Sequence, residues 1–329
     1  MELINVIILS SVLNIFIYIA HDNLISIFNT YDYPDKIRKL HKKKTSLLGG
    51  LILLINCCFF YLINKLIFNN SLTDFNPNSF MLGCILIFLL GLYDDKFNLN
   101  ANIKFILQIL IISIVLLIDP NLKIELLYFS FVDSAFILNN LSFSFTVICI
   151  LIFINALNMY DGINLQVGSY SVVIFITLIH YSTEYALLSA LILSLVVFLI
   201  LNKNSKIFLG DNGSNLLGFI ISFIVINIAN NNNATLSVEN IFILMMLPGL
   251  ELIRLFVYRL SKGRHPFSAD KKHIHHLILN KEGFLKTIFL TKFYVISPII
   301  LMIFLKDYFL YIIVGYVLLY TLIIAKYEK

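Results

Sequence analysis

Runs of about 20 apolar residues, long enough to cross the hydrocarbon core of a bilayer as one α-helix, recur along the whole of this 329-residue chain. They fall near 3–20, 47–68, 79–93, 102–118, 142–159, 167–181, 184–202, 213–229, 240–258, 287–305 and 308–325. Lipid offers a backbone no hydrogen-bond partners, so segments of this kind must be helices that satisfy their own N–H and C=O groups. The expected fold class is therefore an all-α polytopic membrane protein with about eleven transmembrane helices. The composition, 59% hydrophobic and 13% charged, departs from the roughly 45–50% and 25% of soluble domains. A soluble enzyme with one anchor is excluded, because spans occur throughout, and residues 1–329 are expected to form a single integral-membrane domain. The run from Leu3 to Ala20 lacks a basic n-region and a small-residue cleavage site, so it reads as a retained first span. Cys57, Cys58, Cys84 and Cys149 all lie inside apolar runs and read as small core residues.

Lys and Arg in short loops set the orientation. The segment after the first run carries Lys36, Arg38, Lys39, Lys42, Lys43 and Lys44; the loop after the ninth carries Arg259, Lys262, Arg264, Lys271, Lys272, Lys281 and Lys286. The alternate loops Asn69–Asn78 and Asn230–Asn240 have neither residue. The first set is expected to face the cytoplasm, together with the C-terminus, and the N-terminus to face out. Leu122–Asn139, mixed in character and carrying Phe129 and Phe131, is expected to form a short hairpin on the outer membrane surface.

Every chemically capable cluster then falls on the cytoplasmic side. Asp94 and Asp95 close the apolar run Phe80–Leu92. One Asp at a span end commonly means only that the helix has reached water, but two beside other polar clusters are suited to a divalent cation and its phosphate. Adjacent helical residues point about 100° apart, so the two are expected to differ in role. Asn155, Asn158, Asp161 and Asn164 recur every three residues, as along one drifting helix face. Interhelical hydrogen bonding explains one such Asn and explains the regular set poorly. In Gly210-Asp211-Asn212-Gly213-Ser214 the Asp and Ser can be plain helix caps, or Asp211 can hold a metal with the Gly-rich turn near a phosphate. Arg264 and the run His273-Ile274-His275-His276 lie among basic residues with no Cys nearby, which suits a phosphate grip better than zinc. Asp32 to His41, followed by Gly49-Gly50, reads either as a topology-fixing basic loop or as an anion site at a helix N-terminus.

The phrases GLYDDKFNL, NALNMYDGIN, FLGDNGS and PFSADKKHIHH, in this order and preceded by DYPDKIRKLH…GG, resemble the bacterial polyprenyl-phosphate N-acetylhexosamine-1-phosphate transferases of glycosyltransferase family 4. The HIHH form is similar to the N-acetylhexosamine branch and unlike the phospho-N-acetylmuramoyl-pentapeptide branch. The resemblance spans about Asp32 to His276. It implies transfer of a sugar-1-phosphate, GlcNAc-1-phosphate first, from a UDP-amino sugar to undecaprenyl phosphate, with release of UMP, as the initiating step of a surface polysaccharide. It implies Mg2+, with Mn2+ as a substitute, held by Asp211 and Asp94; catalytic roles for Asp94, Asp95, Asp161, His273, His275 and His276; and substrate contacts from Lys39, His41, Asn155, Asn158, Asn164, Gly213 and Arg264. The expected partners are undecaprenyl phosphate, the UDP-amino sugar and membrane lipid, with no nucleic acid and with a homodimer left open. The expected location is the bacterial inner membrane, active site to the cytoplasm.

The chain departs from the family pattern at three places. Asn164-Leu165 stands where the family commonly has Asp-Gly, Ser46 stands near a usual Pro, and the carboxylate after Pro248 is Glu251. A transporter is the rival reading, but transport sites lie near the bilayer midplane in paired repeats. Here the polar groups gather at one face and no internal repeat is found.

Overall fold

The computed structural model describes residues 2–28, 30–33, 44–230, 236–264, 272–305 and 308–328. Each apolar run of the sequence holds one helix: α1 (Glu2–Phe28), α2 (Gly49–Leu66), α3 (Pro77–Phe97), α4 (Ala101–Ile118), α5 (Ser142–Tyr160), α6 (Gln166–Ile179), α7 (Tyr185–Lys203), α8 (Gly210–Asn230), α9 (Val238–Ser261), α11 (Phe284–Phe304) and α12 (Phe309–Glu328). The short α10 (Ile274–Glu282) lies in the loop between α9 and α11. Among the described residues nine helices are long and apolar enough to cross a membrane, and the apolar α6 is shorter. The chain is a multi-pass membrane protein.

α8 is the axis of the bundle. It is the most enclosed of the long apolar helices and packs against α3, α5 and α2. Its inner neighbours approach closely because their contact points are small: a Cβ at Gly91 of α3 would lie 2.5 Å from the Cα of Asn212. The outer helices α1, α4 and α12 instead present rows of exposed Ile, Leu, Val and Phe, the surface a helix shows to lipid.

Two small hairpins complete the fold. β1 (Tyr31–Asp32) pairs antiparallel with β2 (Thr45–Ser46), and Ser46 bridges in parallel to Ile207. Phe208 N–H donates to Ser46 C=O at 2.7 Å and Gly49 N–H to Phe208 C=O at 2.9 Å. This ties the entry of α2 to the entry of α8. β3 (Leu126–Phe129) and β4 (Ser134–Ile137) form the hairpin expected within 122–139, at the end of α4 remote from Asp94. The four cysteines are free; Cys57 and Cys84 sit in the core as expected, whereas Cys58 and Cys149 are half-buried.

Several helix ends differ from the sequence reading, and two of them involve polar residues. α1 runs two turns beyond Ala20, through His21, Asp22 and Asn23 into a second apolar stretch at Leu24, Ile25, Ile27 and Phe28; His21 Nδ1 lies 2.7 Å from Tyr18 C=O of the same helix. The polar set beginning at Asn155 does not continue on one helix: α5 stops at Tyr160 and Asp161 is its C-cap, with φ −80° and ψ 77°.

Candidate active site

The turn between α3 and α4 builds the first half of the site. Asn98 adopts a left-handed C-cap (φ 50°, ψ 71°) and Asn100 caps α4 by accepting from Asn102 N–H. Asn is one of the few non-Gly residues at ease in the left-handed region. The connection is therefore short enough to lay the first turn of α4 beside the last turns of α3, so Lys104 faces Asp94, Nζ to Oδ2 2.7 Å. Asp94 Oδ1 accepts Leu99 N–H at 2.8 Å, which fixes the carboxylate's orientation.

The entry of α8 supplies the second half. Gly210, with φ +71°, occupies a conformation that Gly takes without steric cost and turns Asp211 toward Lys104, Oδ2 to Nζ 2.6 Å. Asn158 Nδ2 donates to Asp211 Oδ1 and to Ser214 Oγ, each at 2.8 Å. Asp94 and Asp211 thus converge on one cationic point, with the Lys104 ammonium there. Asp95 points elsewhere: it accepts Asp211 N–H at 2.8 Å, Asn212 N–H at 3.0 Å and Asn212 Nδ2 at 2.5 Å. A carboxylate on the free amides of a helix N-terminus satisfies orphan donors and opposes the helix dipole. Adjacent in sequence, the two Asp residues do different work, as their angular offset requires.

These groups open onto a cavity of about 690 Å3, also lined by Asp32, Asp161, Asn164, His273, His275 and His276. Burial, and then the nearby Asp211 and Asp95 carboxylates, push Asp161 up to about 8. The α5–α6 turn around it is anchored by Asn202, whose Oδ1 accepts Leu165 N–H at 2.6 Å and whose Nδ2 donates to Ile207 C=O at 2.9 Å. Asn164 Nδ2 donates to Ser205 Oγ at 2.8 Å. The three His rings of the α10 entry cluster: His273 stacks on His275, and His276 meets His273 edge-on and His275 at a tilt. His275 is fully buried, its Nδ1 3.2 Å from Gln166 Nε2 and its Nε2 against Gly162, where any Cβ would collide. Burial first, then His276, His273 and Arg254, hold its pKa well below the ordinary value, so it sits there neutral.

The structure brings together Asp94, Asp95, Asn158, Asp161, Asn164, Asp211, His273, His275 and His276. It does not bring in Asn155, which is buried deeper on α5 and donates to Gln108 Oε1 at 2.9 Å and to Leu151 C=O. Gly213 also stays off the cavity. It packs on Gly50, where a Cβ would lie 2.6 Å from Gly213 backbone, so the glycines admit protein backbone there. Arg264 follows α9 at the exposed surface and does not line the cavity. Lys39 and His41 lie outside the described residues. The sequence reading missed Lys104, Asn202 and Asn212. Lys104 had one available signal: a lone cation in the first turn of a strongly apolar helix, just after an Asp pair.

Among the described residues no group of three or more His, Cys, Asp or Glu forms a ready-made metal cage. Two converging carboxylates suit a hard ion that completes its shell with water and substrate phosphates, the habit of Mg2+.

The description "Glycosyl transferase family 4" matches residues 78–229. The undecaprenyl-phosphate alpha-N-acetylglucosaminyl 1-phosphate transferase of Salmonella typhi is 28% identical over 285 residues, covering 82% of this chain and 74% of that protein. The enzymes of the same name from Yersinia pestis and Escherichia coli (strain K12) are 29% identical over 281 residues (82% and 74% covered) and 28% over 267 (77% and 70%). The matched family stretch runs from the start of α3 almost to the end of α8, and so carries the Asp94–Lys104–Asp211 contact together with Asn158 and Asp161; over residues 78–229 the chain is similar to glycosyl transferase family 4.

Proposed function

We propose that this protein transfers an N-acetylhexosamine-1-phosphate, GlcNAc-1-phosphate first, from a UDP-sugar to undecaprenyl phosphate. An oxygen of the lipid phosphate attacks the phosphorus bonded to the sugar. The bond from that phosphorus to the bridging oxygen breaks, and UMP leaves with the bridging oxygen. The observation that carries the reading is the convergence of Asp94, Asp211 and Lys104 at the mouth of a polar cavity, at one end of membrane helices. Phosphoryl transfer asks for alignment and charge neutralisation more than for covalent help from the protein.

Asp94 and Asp211 would hold Mg2+, or Mn2+ in its place, and the ion would supply neutralisation of charge on the diphosphate. Lys104 holds the two carboxylates at one point and is itself a cation within reach of phosphate oxygens. Asn158 orients Asp211, and Asp95 locks the α8 entry on which Asp211 rides. Asp161, pushed up by burial and by the Asp211 and Asp95 carboxylates, lines the cavity beside the anionic substrates. His273 and His276 face the cavity as further donors to phosphate or sugar. The cavity opens to the cytoplasm of a bacterial inner membrane in this reading, supported by the described basic residues Lys44, Lys262, Arg264 and Lys272 at the same end.

The test is UMP release by the purified protein in lipid nanodiscs, given undecaprenyl phosphate, Mg2+ and a panel of UDP-amino sugars. Release with one donor that disappears in Asp211→Asn is the expected result. Asp211→Asn retaining turnover overturns the assignment of that carboxylate, and no release with any donor overturns the transferase reading.

A further inference from the structure

The His cluster sits at the entry of α10, a short helix outside the row of membrane spans, and a ring there is useful only if its backbone is held. The backbone on both sides of His273 is gripped from one turn of α9. Arg254 NH2 donates to Lys272 C=O at 2.5 Å, and Glu251 Oε1 accepts Ile274 N–H at 2.9 Å. The same Glu251 oxygen lies 3.7 Å from His273 Nδ1. Glu251 is 1% exposed, and a carboxylate so buried is costly unless paired and hydrogen-bonded. Its pairing is complete: Arg254 NH2 at 2.8 Å on Oε1 and the Tyr320 hydroxyl at 2.5 Å on Oε2. Tyr320 also accepts from Arg254 Nε at 2.8 Å, so one hydroxyl of α12 closes the ring of bonds. Further along, Tyr327 of α12 donates to Glu282 Oε1 at 2.8 Å, at the other end of α10.

We propose that Glu251, Arg254 and Tyr320 form a positioning clamp for His273: a buried carboxylate–guanidinium–phenol ring that fixes the peptide groups flanking the histidine and makes the C-terminal helix part of the active-site scaffold. A clamp of this kind acts through alignment, and misplacing a reacting or binding group by about 1 Å costs up to roughly 100-fold in rate. A purely architectural role for the same residues, gluing α12 to α9, would lower stability without regard to His273. The proposal rests on the transferase reading for its activity assay and on backbone exchange for a measurement independent of it.

The experiment is a double-mutant cycle in nanodiscs, with kcat/KM for UMP release, melting temperature and hydrogen–deuterium exchange read on each variant. Glu251→Gln is expected to lower kcat/KM about 10- to 100-fold and Tyr320→Phe by a smaller factor. Both effects vanish in a His273→Ala background, and exchange speeds up in peptide 272–282 of both variants. Full kcat/KM in both variants, or an equal loss with and without His273, overturns the clamp. Should Glu251→Gln fail to fold, Tyr320→Phe carries the cycle alone. Should the wild-type protein release no UMP, the transferase reading falls, and exchange decides the clamp by itself: unaltered exchange over 272–282 in the variants overturns it.

Discussion

Lys104 on α4 reaches Asp211 on α8 at 2.6 Å, and with the same Nζ it holds Asp94 on α3 at 2.7 Å. One ammonium thus joins three helices at the point where two like charges would otherwise face each other. Removing one partner of an ion set leaves uncompensated charge; with the Asp211 side chain 36% exposed, water screens part of it and the cost is about 1–3 kcal/mol. Lys104→Met is therefore expected to lower the melting temperature markedly without added divalent cation, and millimolar Mg2+ is expected to restore part of it by replacing the lost positive charge. UMP release is expected to fall at least about 100-fold, the scale of one lost charge-stabilising group. A melting curve indifferent to both the substitution and the ion would show that the two carboxylates need no cation.

Asp95 is a helix cap supplied from another helix. It accepts the first amides of α8, including that of Asp211 itself. Asp95→Asn keeps an acceptor oxygen and loses the charge that opposes the α8 dipole, worth about 0.5–2 kcal/mol. The expected outcome is a modest fall in melting temperature with a larger proportional fall in kcat, because Asp211 rides on the loosened turn. Parallel thermal and UMP-release measurements check it. Loss of stability with unchanged kcat would separate Asp95 from the chemistry.

The helices were legible because a lipid-spanning helix must be a long apolar run, and each run in this chain holds one helix. The polar clusters at one end were legible for the same reason, since polar residues interrupt such runs only where water or a site is near. What was not legible is what crosses between helices. Asp94 and Asp95 look alike in sequence. Only the α8 entry makes one a cap and leaves the other on Lys104. The α8 start at Gly210 escaped the reading of 213–229 because its cap comes from α3. His275 lines the cavity beside His276 and is also packed against Gly162 and Gln166, a burial that depends on the α5–α6 turn and α6 and cannot be read from the local string.

Leu165 has φ +67° and its N–H donates to Asn202 Oδ1. This is the position where the chain departs from the Asp-Gly of the family pattern. A left-handed backbone costs an L-residue about 1–2 kcal/mol, and Gly takes it freely at an entropic cost of about 0.5–1 kcal/mol. Leu165→Gly is expected to stay within about 1 kcal/mol of wild type in stability and to keep its UMP release. Leu165→Val, β-branched and poorly suited to this region, is expected to be destabilised by about 1–2 kcal/mol. Thermal melts of the pair check the order; Val more stable than Gly would mean that packing of the side chain outweighs backbone strain.

Glu184 lies in the α6–α7 connection, remote from the cavity, and is 3% exposed. Burial raises its pKa to about 7; Asp74 N–H, donating to Oε1 at 2.8 Å, opposes the rise, and the Asp74 charge adds to it. A carboxyl raised in the folded state binds its proton more tightly there than in the unfolded chain, where it titrates near 4.3. The stability it contributes is full below about pH 4 and is lost as pH climbs to about 7, by on the order of 3 kcal/mol. Wild-type protein is thus expected to melt at a lower temperature at pH 8 than at pH 5. Glu184→Gln, which keeps an acceptor for Asp74 N–H without the charge, is expected to remove most of that difference. Melting temperatures of both proteins across pH 4.5–8.5 check this; parallel curves for the two would place the pH-sensitive group elsewhere, with Asp161, raised to about 8 by burial and by Asp211 and Asp95, next to be substituted.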